Sequence, residues 1–214
     1  MGENRFYSSN SKNKYRRKIQ NSTLKDNATF ALGIVTGNNK KYLLQTKIEN
    51  SEPIFKGCDI FPFKMDQEKM YIQFTPEIFQ QVAKEAFYRS KKIVYRFINS
   101  RLVCAIDTKN FLLLNSANLF IPKNNYPFET IVCLFNSNIY NFVFQKKFHS
   151  TKVLRNHLES LPLPEFSNET HKELKKLHDK FVDGEFIQSE LDKKIATLFN
   201  FSNEELKYIL SEVK

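Results

Sequence analysis

Apolar and polar positions change their period several times along the 214-residue chain. Up to Asn27 the sequence is polar and basic, with Arg16-Arg17-Lys18 following a Ser-, Asn- and Lys-rich run. It holds few groups to bury and reads as a connector over 1–27. From Phe30 an apolar run reaches Ile34-Val35, a polar stretch Thr36-Gly37-Asn38-Asn39-Lys40-Lys41 follows, and Tyr42-Leu43-Leu44 is apolar again. Gly and Asn tolerate positive φ, so this pattern predicts a tight, exposed turn between two strands. Thr75-Pro76-Glu77 offers a hydroxyl cap, a proline at the first helical position and an acid in the first turn. The helix it predicts carries a core stripe of Ile78, Phe79, Val82, Ala83, Ala86 and Phe87. Lys92 to Ile98 and Leu102 to Ile106 predict two strands joined by Asn99-Ser100-Arg101. Their apolar residues on both faces predict a central place in a sheet covered on both sides.

Further on, helical periodicity takes over. Phe128 to Phe144 predicts two short helices, or one kinked at Asn136-Ser137-Asn138. Leu161-Pro162-Leu163-Pro164 must be extended, because each proline pushes the preceding residue out of the helical region. It marks a boundary. Three helices are predicted beyond it. The first is capped by Ser167 and stopped by Gly184; the second carries Ile187, Leu191, Ile195, Leu198 and Phe199; the third opens on a Ser202–Glu205 capping box.

Charge adds a direction to this picture. Residues 1–164 hold 25 basic and 12 acidic side chains, net +13, whereas 165–214 hold 8 and 11, net −3. A basic body attached to an acidic tail predicts a polyanion facing the body, with salt-sensitive binding. A hydrophobic content of 41% with 21 Phe supplies a globular core. The three cysteines, Cys58, Cys104 and Cys133, lack CxxC spacing and read as reduced core thiols rather than a disulfide framework or a zinc site. No apolar run approaches the roughly 18 residues a membrane span needs, so a soluble, cytoplasmic protein is expected.

Gly37-Asn38-Asn39, Pro53-Ile54-Phe55-Lys56-Gly57-Cys58-Asp59-Ile60, Lys92 to Phe97, Leu134-Phe135-Asn136-Ser137-Asn138, and Leu158 to Pro164 follow one another in order. From about Leu24 to Pro164, plus the helical tail, the chain resembles the TaqI-like C-terminal specificity domain of adenine-specific DNA methyltransferases. That resemblance implies an α+β fold: a twisted mixed β-sheet specificity domain over 28–164 with packed helices, then a helical tail over 165–214. The tail would pack on the body or dock the catalytic part. The partners implied are double-stranded DNA and a methyltransferase catalytic domain or subunit.

Catalysis is not expected of these residues. Methyl transfer to a flipped adenine needs a Gly-rich cofactor loop and an Asn-Pro-Pro-aromatic motif. Glycines stand only at 2, 33, 37, 57 and 184, and no two prolines are adjacent, so S-adenosylmethionine is expected in a separate catalytic domain. For a nuclease, Glu173-Leu174-Lys175 and Glu205-Leu206-Lys207 have acid-x-lysine spacing but lie in amphipathic helices, and Asp59 reads as the holder of a turn. Candidate DNA contacts fall into three groups. Thr36, Gly37, Asn38, Asn39 and Lys40 combine amides suited to base edges with a cation. Arg89, Lys91, Lys92, Arg96 and Arg101 alternate with Tyr88 and Tyr95. Lys146, Lys147, His149, Ser150, Thr151, Lys152 and Arg155 form a run without an acid. The second and third groups are expected to hold phosphate. Because the resemblance makes Gly37-Asn38-Asn39 common to family members that read different sequences, that turn is expected to be structural or to touch backbone, with the base code in other loops. Alternative readings are a specificity-subunit fragment of a multisubunit system, or an orphan protein-interaction module that has lost DNA binding.

Overall fold

A computed structural model of the chain describes residues 23–213. One helical turn, α1 (Leu24–Asn27), leads into β1 (Ala28–Ala31), and a second, α2 (Asn39–Tyr42), leads into β2 (Leu43–Leu44). Then come β3 (Glu52–Phe55), β4 (Ile60–Phe61), β5 (Lys64–Met65), β6 (Tyr71–Ile72) and the single turn α3 (Glu85–Tyr88). Strands β7 (Lys92–Arg96), β8 (Cys104–Asp107), β9 (Leu112–Leu113) and β10 (Ala117–Pro122) complete the sheets. Helices follow: α4 (Phe128–Asn136), α5 (Asn138–Phe148), α6 (Arg155–Glu159), α7 (Asn168–Val182), α8 (Gln188–Leu198) and α9 (Asn203–Glu212).

The main sheet has the order β1-β10-β7-β8 and is antiparallel throughout. Strand β7 is interior, as its two apolar faces predict, whereas β8, expected to be central as well, stands last in the order, where Asn136 rather than a further strand of this sheet bonds its Cys104 backbone. Val94 stands opposite Leu119 on one side and Ala105 on the other. Side chains alternate across the sheet. Ile93, Tyr95, Cys104 and Phe120 enter a core shared with Leu134, Phe135, Phe144, Leu174 and Ile195 of the helices. Val94, Ala105 and Leu119 enter a second core with Ile54, Phe55, Ile72, Leu112 and Leu113. This second core is closed by a smaller sheet, β2-β6-β3-β9, whose β3–β9 pair is parallel. Helices, main sheet and small sheet therefore form three layers, the mixed-sheet α+β fold expected.

The break at Asn136-Ser137-Asn138 falls between α4 and α5, and its polar atoms are all used. The Asn136 amide accepts from the Cys104 N–H at 3.1 Å and donates to the Cys104 carbonyl at 2.9 Å, which satisfies the open edge of β8. The Ser137 hydroxyl caps α5 by accepting from the Tyr140 N–H. The carboxylate of Asp192, on α8, accepts from the Asn138 N–H at 2.8 Å and its side-chain amide at 2.7 Å. The extended Leu161–Pro164 segment buries Leu161 and Leu163 in the helix-side core, and its carbonyls at Pro162 and Pro164 accept from the hydroxyls of Tyr140 and Tyr126. The tail caps lie where expected: Ser167 accepts from the Thr170 N–H, Gly184 takes φ +95°, and Ser202 with Glu205 forms a capping box.

Other local expectations are corrected. Ile34 and Val35 do not pair with Tyr42–Leu44. Ile34 bridges Leu114 and Val35 bridges Gln81, while β2 pairs with β6. Gly33 makes this path possible, since a Cβ there would lie 2.2 Å from the Leu114 carbonyl oxygen and 2.3 Å from that of Ala117. The helix predicted from Thr75 is interrupted. Pro76–Ile78 forms a 3-10 turn, Gln81 then exchanges two backbone hydrogen bonds with Val35, and helix resumes only at Glu85. Ile78 is exposed, whereas Phe79 is buried. Within the expected connector, Leu24 is fully buried in the helix-side core and Thr23 bridges Pro162; Arg16-Arg17-Lys18 lies outside the described residues. Cys104 and Cys133 are buried thiols, their pKa values pushed up by burial, but Cys58 is exposed.

Candidate nucleic-acid interface

The first candidate group is folded in on itself. Thr36 is only 4% exposed. Its hydroxyl donates to Asn39 Oδ1 at 2.6 Å and accepts from the Asn38 N–H at 3.1 Å. Asn38 Oδ1 accepts from the Lys41 N–H at 3.2 Å and so caps α2. Gly37 takes φ +77°, the one left-handed residue of the group. The amide oxygens, whose chemistry suits base edges, are therefore committed to holding the turn, as Asn typically does at a cap. Lys40 remains exposed at the turn.

The second group is divided by β7. At one end the Arg89 guanidinium makes a two-toothed contact with Glu52, Nη2 donating to Oε1 at 2.9 Å, and Nε donates to Glu85 at 2.9 Å. These carboxylates raise its pKa further. Lys91 lies 4.5 Å from the Phe128 ring centroid and 3.4 Å from Glu129. Lys92 is corrected outright: its side chain is 0% exposed, 2.5 Å from Asp107 Oδ2, and donates to the Tyr88 carbonyl at 2.7 Å. Burial lowers its pKa against the pull of Asp107. It cannot reach a phosphate. At the other end Arg96 donates from Nε to the Ile60 carbonyl at 2.6 Å and lies over Phe61, tying β7 to β4. Arg101 donates to Asn138 Oδ1 at 2.7 Å, and burial lowers its pKa.

The third group meets the β7–β8 loop. Lys152 bridges Ile98, its Nζ lies 5.9 Å from the Phe97 ring centroid, and the Val153 N–H donates to the Phe97 carbonyl at 2.8 Å. Gln145 donates to the Ser100 carbonyl. Ser150 accepts from the Lys152 N–H at 3.0 Å and closes a small turn after His149, which takes φ +44°. Lys152 and Arg155 are exposed; Arg155 pairs with Glu159 at 2.7 Å and lies over the Phe30 ring on edge strand β1. Lys146 and Lys147 are drawn back toward the protein. Lys146 pairs with Glu212 at 2.6 Å, and Lys147 donates to the Ser160 carbonyl and hydroxyl, both at 3.1 Å, its pKa lowered by burial. An exposed surface ion pair is worth at most about 1 kcal/mol, so the Arg155–Glu159 pair does not prevent exchange for phosphate.

Sequence reasoning missed what adjoins this region. Helix α1, which carries exposed Lys25, packs on α6, which begins with Arg155. The N–H of exposed Lys123 donates to the Asn27 carbonyl at 2.7 Å, and the Asn124 amide donates to Asn27 Oδ1 at 3.0 Å. The Lys123-Asn124-Asn125 triplet carried the signal, being amides beside a cation, as at 37–40.

Among the described residues no group of three or more His, Cys, Asp and Glu side chains is placed to hold a metal ion, and no helix is long and apolar enough to cross a membrane. A family model, the TaqI-like C-terminal specificity domain, matches residues 52–163, just over half of the chain. The chain belongs to this family. The match takes in the β7–β8 loop, the 146–155 run and Lys123–Asn125, and leaves Thr36–Lys40 outside. No curated protein matches the chain. Among solved structures, the TaqI-like specificity chain is similar in fold to the HsdS subunit from Thermoanaerobacter tengcongensis, with a TM-score of 0.51 at 11% identity over 90% of this chain. It is likewise similar to a chain of a type I restriction-modification complex, with a TM-score of 0.52 at 12% identity over 89%. A third likeness is to the Type IIL restriction-modification enzyme MmeI in complex with DNA, with a TM-score of 0.58 at 9% identity over 90%. The chain spans 44%, 44% and 37% of these three structures respectively.

Proposed function

We propose that this chain reads the sequence of duplex DNA for a restriction-modification adenine methyltransferase and has no catalytic centre of its own. One observation carries the reading: on a specificity-domain fold, the exposed cations Lys152 and Arg155 meet the β7–β8 loop and the α1 turn on one side of the main sheet. Arrayed cations neutralise phosphate and release condensed counterions, which makes affinity fall steeply with salt. Methyl transfer, with its S-adenosylmethionine, belongs to a separate cytoplasmic partner domain or subunit. Fluorescence anisotropy with a duplex of mixed sequence tests this. Binding at low salt that weakens linearly in log[salt] is expected; no binding even at low salt overturns it.

A second reading, a specificity-subunit fragment of a multisubunit system, draws on the tail. Phe186 is 93% exposed just after Gly184, and Val182 is exposed just before it. A large exposed aromatic side chain in an acidic tail suits a protein partner. Tight association with a co-expressed methyltransferase subunit, weakened tenfold or more by Phe186→Asp, is the expected result. Equal association of the variant removes this version.

A further inference from the structure

The amide oxygens that Asn38 and Asn39 commit to their own turn have an open counterpart at a different turn. Lys123 to Tyr126 is closed by the Tyr126 N–H donating to the Lys123 carbonyl at 3.2 Å. Its two central residues, Asn124 and Asn125, take φ +56° and +55°. Consecutive positive φ values belong to the mirror-image β-turns in which Asn is favoured. Both ends are fastened. The Lys123 N–H is bound to Asn27, and the Tyr126 hydroxyl donates to the Pro164 carbonyl at 2.7 Å. Within this frame Asn124 has one donor engaged with Asn27 Oδ1, while the Asn125 amide makes no hydrogen bond to a described residue, and both side chains are exposed.

We infer that Asn125, on the Lys123–Tyr126 turn, is a base-reading residue of this domain, pairing through its amide with an adenine edge while Lys123 and Lys25 hold flanking phosphates. This rests on the DNA-reading proposal and adds the residue that gives it sequence preference. An asparagine amide presents a donor and an acceptor side by side, matching adenine N7 and its exocyclic amine in the major groove. A reader must be held rigidly or its preference is lost, and the doubly anchored turn supplies that rigidity. The charges suit a polyanion. Lys123 is exposed beside the reader, Lys25 lies on α1 next to Asn27, and α1 packs against α6, which begins with Arg155. The acids of this strip are Asp26, exposed on α1, Glu159, already paired with Arg155, and Glu165, exposed next to the Pro164 anchor and near the Tyr126 hydroxyl.

The test uses the full chain and a pool of randomised duplexes, with bound species sequenced, for the native protein, Asn125→Gly and Asn38→Ala. Glycine keeps the left-handed backbone and removes only the amide, so the fold survives; a thermal melt confirms it. The native protein should enrich a motif containing adenine, and Asn125→Gly should reduce the preference at that one base about tenfold or more. Affinity of Asn125→Gly for a non-enriched duplex should stay within about twofold, and Asn38→Ala should keep the native motif. A variant at 125 that enriches the native motif unchanged overturns the assignment while leaving DNA reading intact. Native protein that binds DNA but enriches no motif overturns the assignment as well. Native protein that binds no duplex overturns both.

Discussion

Lys92 and Lys152 show how one side-chain type serves opposite ends. Lys92 and Asp107 face each other across β7 and β8, sealed in the small-sheet layer, and Asp107 also accepts from the N–H groups of Lys109 at 2.8 Å and Phe111 at 2.9 Å. Removing one member of a buried pair strands the other, so Lys92→Ala should cost about 3 kcal/mol in denaturant unfolding. Its folded fraction should bind DNA with unchanged salt dependence. Lys152→Ala should leave unfolding within about 0.5 kcal/mol of native and reduce the slope of log affinity against log[salt] by about one. Titrations of the two variants in parallel check both statements. Histidines add a pH dependence. His157 accepts from the Leu154 N–H at Nδ1 and stacks on Phe148, and His171 Nδ1 lies 2.8 Å from the Thr130 hydroxyl. Burial lowers both pKa values. A lowered folded-state pKa means that the stabilisation is complete above the usual 6.5 and is lost as pH falls through the folded value. Melting temperature should therefore decline below about pH 6.5, and less steeply in a His157→Gln/His171→Gln variant. Parallel melts cancel the carboxylates common to both proteins.

Elements were legible in the sequence where their signals are local. Ser167 and Ser202 cap the helices they were expected to cap, and Asn136-Ser137-Asn138 breaks the helix it interrupts, with Ser137 capping the helix that follows. The interior place of β7 was legible too, because burial on two faces leaves no polar alternation, but the same pattern misplaced β8, which is buried at the end of the sheet by the Asn136 side chain. Pairings were not legible. Nothing near Val35 announces that Gln81 will bond to it, and that pairing divided the helix expected from Thr75. The candidate site suffered the same limit. Whether an Asn or Lys is spent internally depends on partners distant in sequence: Asp107 for Lys92, Glu52 for Arg89, Glu212 for Lys146. Asn136 was legible as a break but not as the partner of Cys104. Asn136→Ala would leave a buried N–H without its acceptor, at a cost of about 2 kcal/mol in denaturant unfolding.

At the scale of the molecule, the acidic tail and the basic body share one core. Leu174, Leu191, Ile195, Leu206 and Ile209 of α7, α8 and α9 lie with Tyr95, Phe120 and Phe135 in the helix-side layer. Leu161-Pro162-Leu163-Pro164 marks a change of charge and of secondary structure, and packing continues across it. A chain ending at Pro164 should lose its cooperative melt and bind a hydrophobic dye, whereas two independently stable units would leave the shorter chain's transition sharp.

The parallel pairing of β3 with β9 also sets an order in time. Ile54 stands opposite Leu112 and Phe55 opposite Leu113, so the layer they close joins segments far apart in sequence, with the neighbouring strand pair β7–β8 lying between them. Distant pairings meet the larger loop-closure penalty and form late. In pulse-labelled hydrogen exchange during refolding, the amides of α4 should gain protection before those of Leu114 and Ile34, whose N–H groups bond to Phe55 and Leu113. Simultaneous protection would mean that the two faces of the main sheet condense as one.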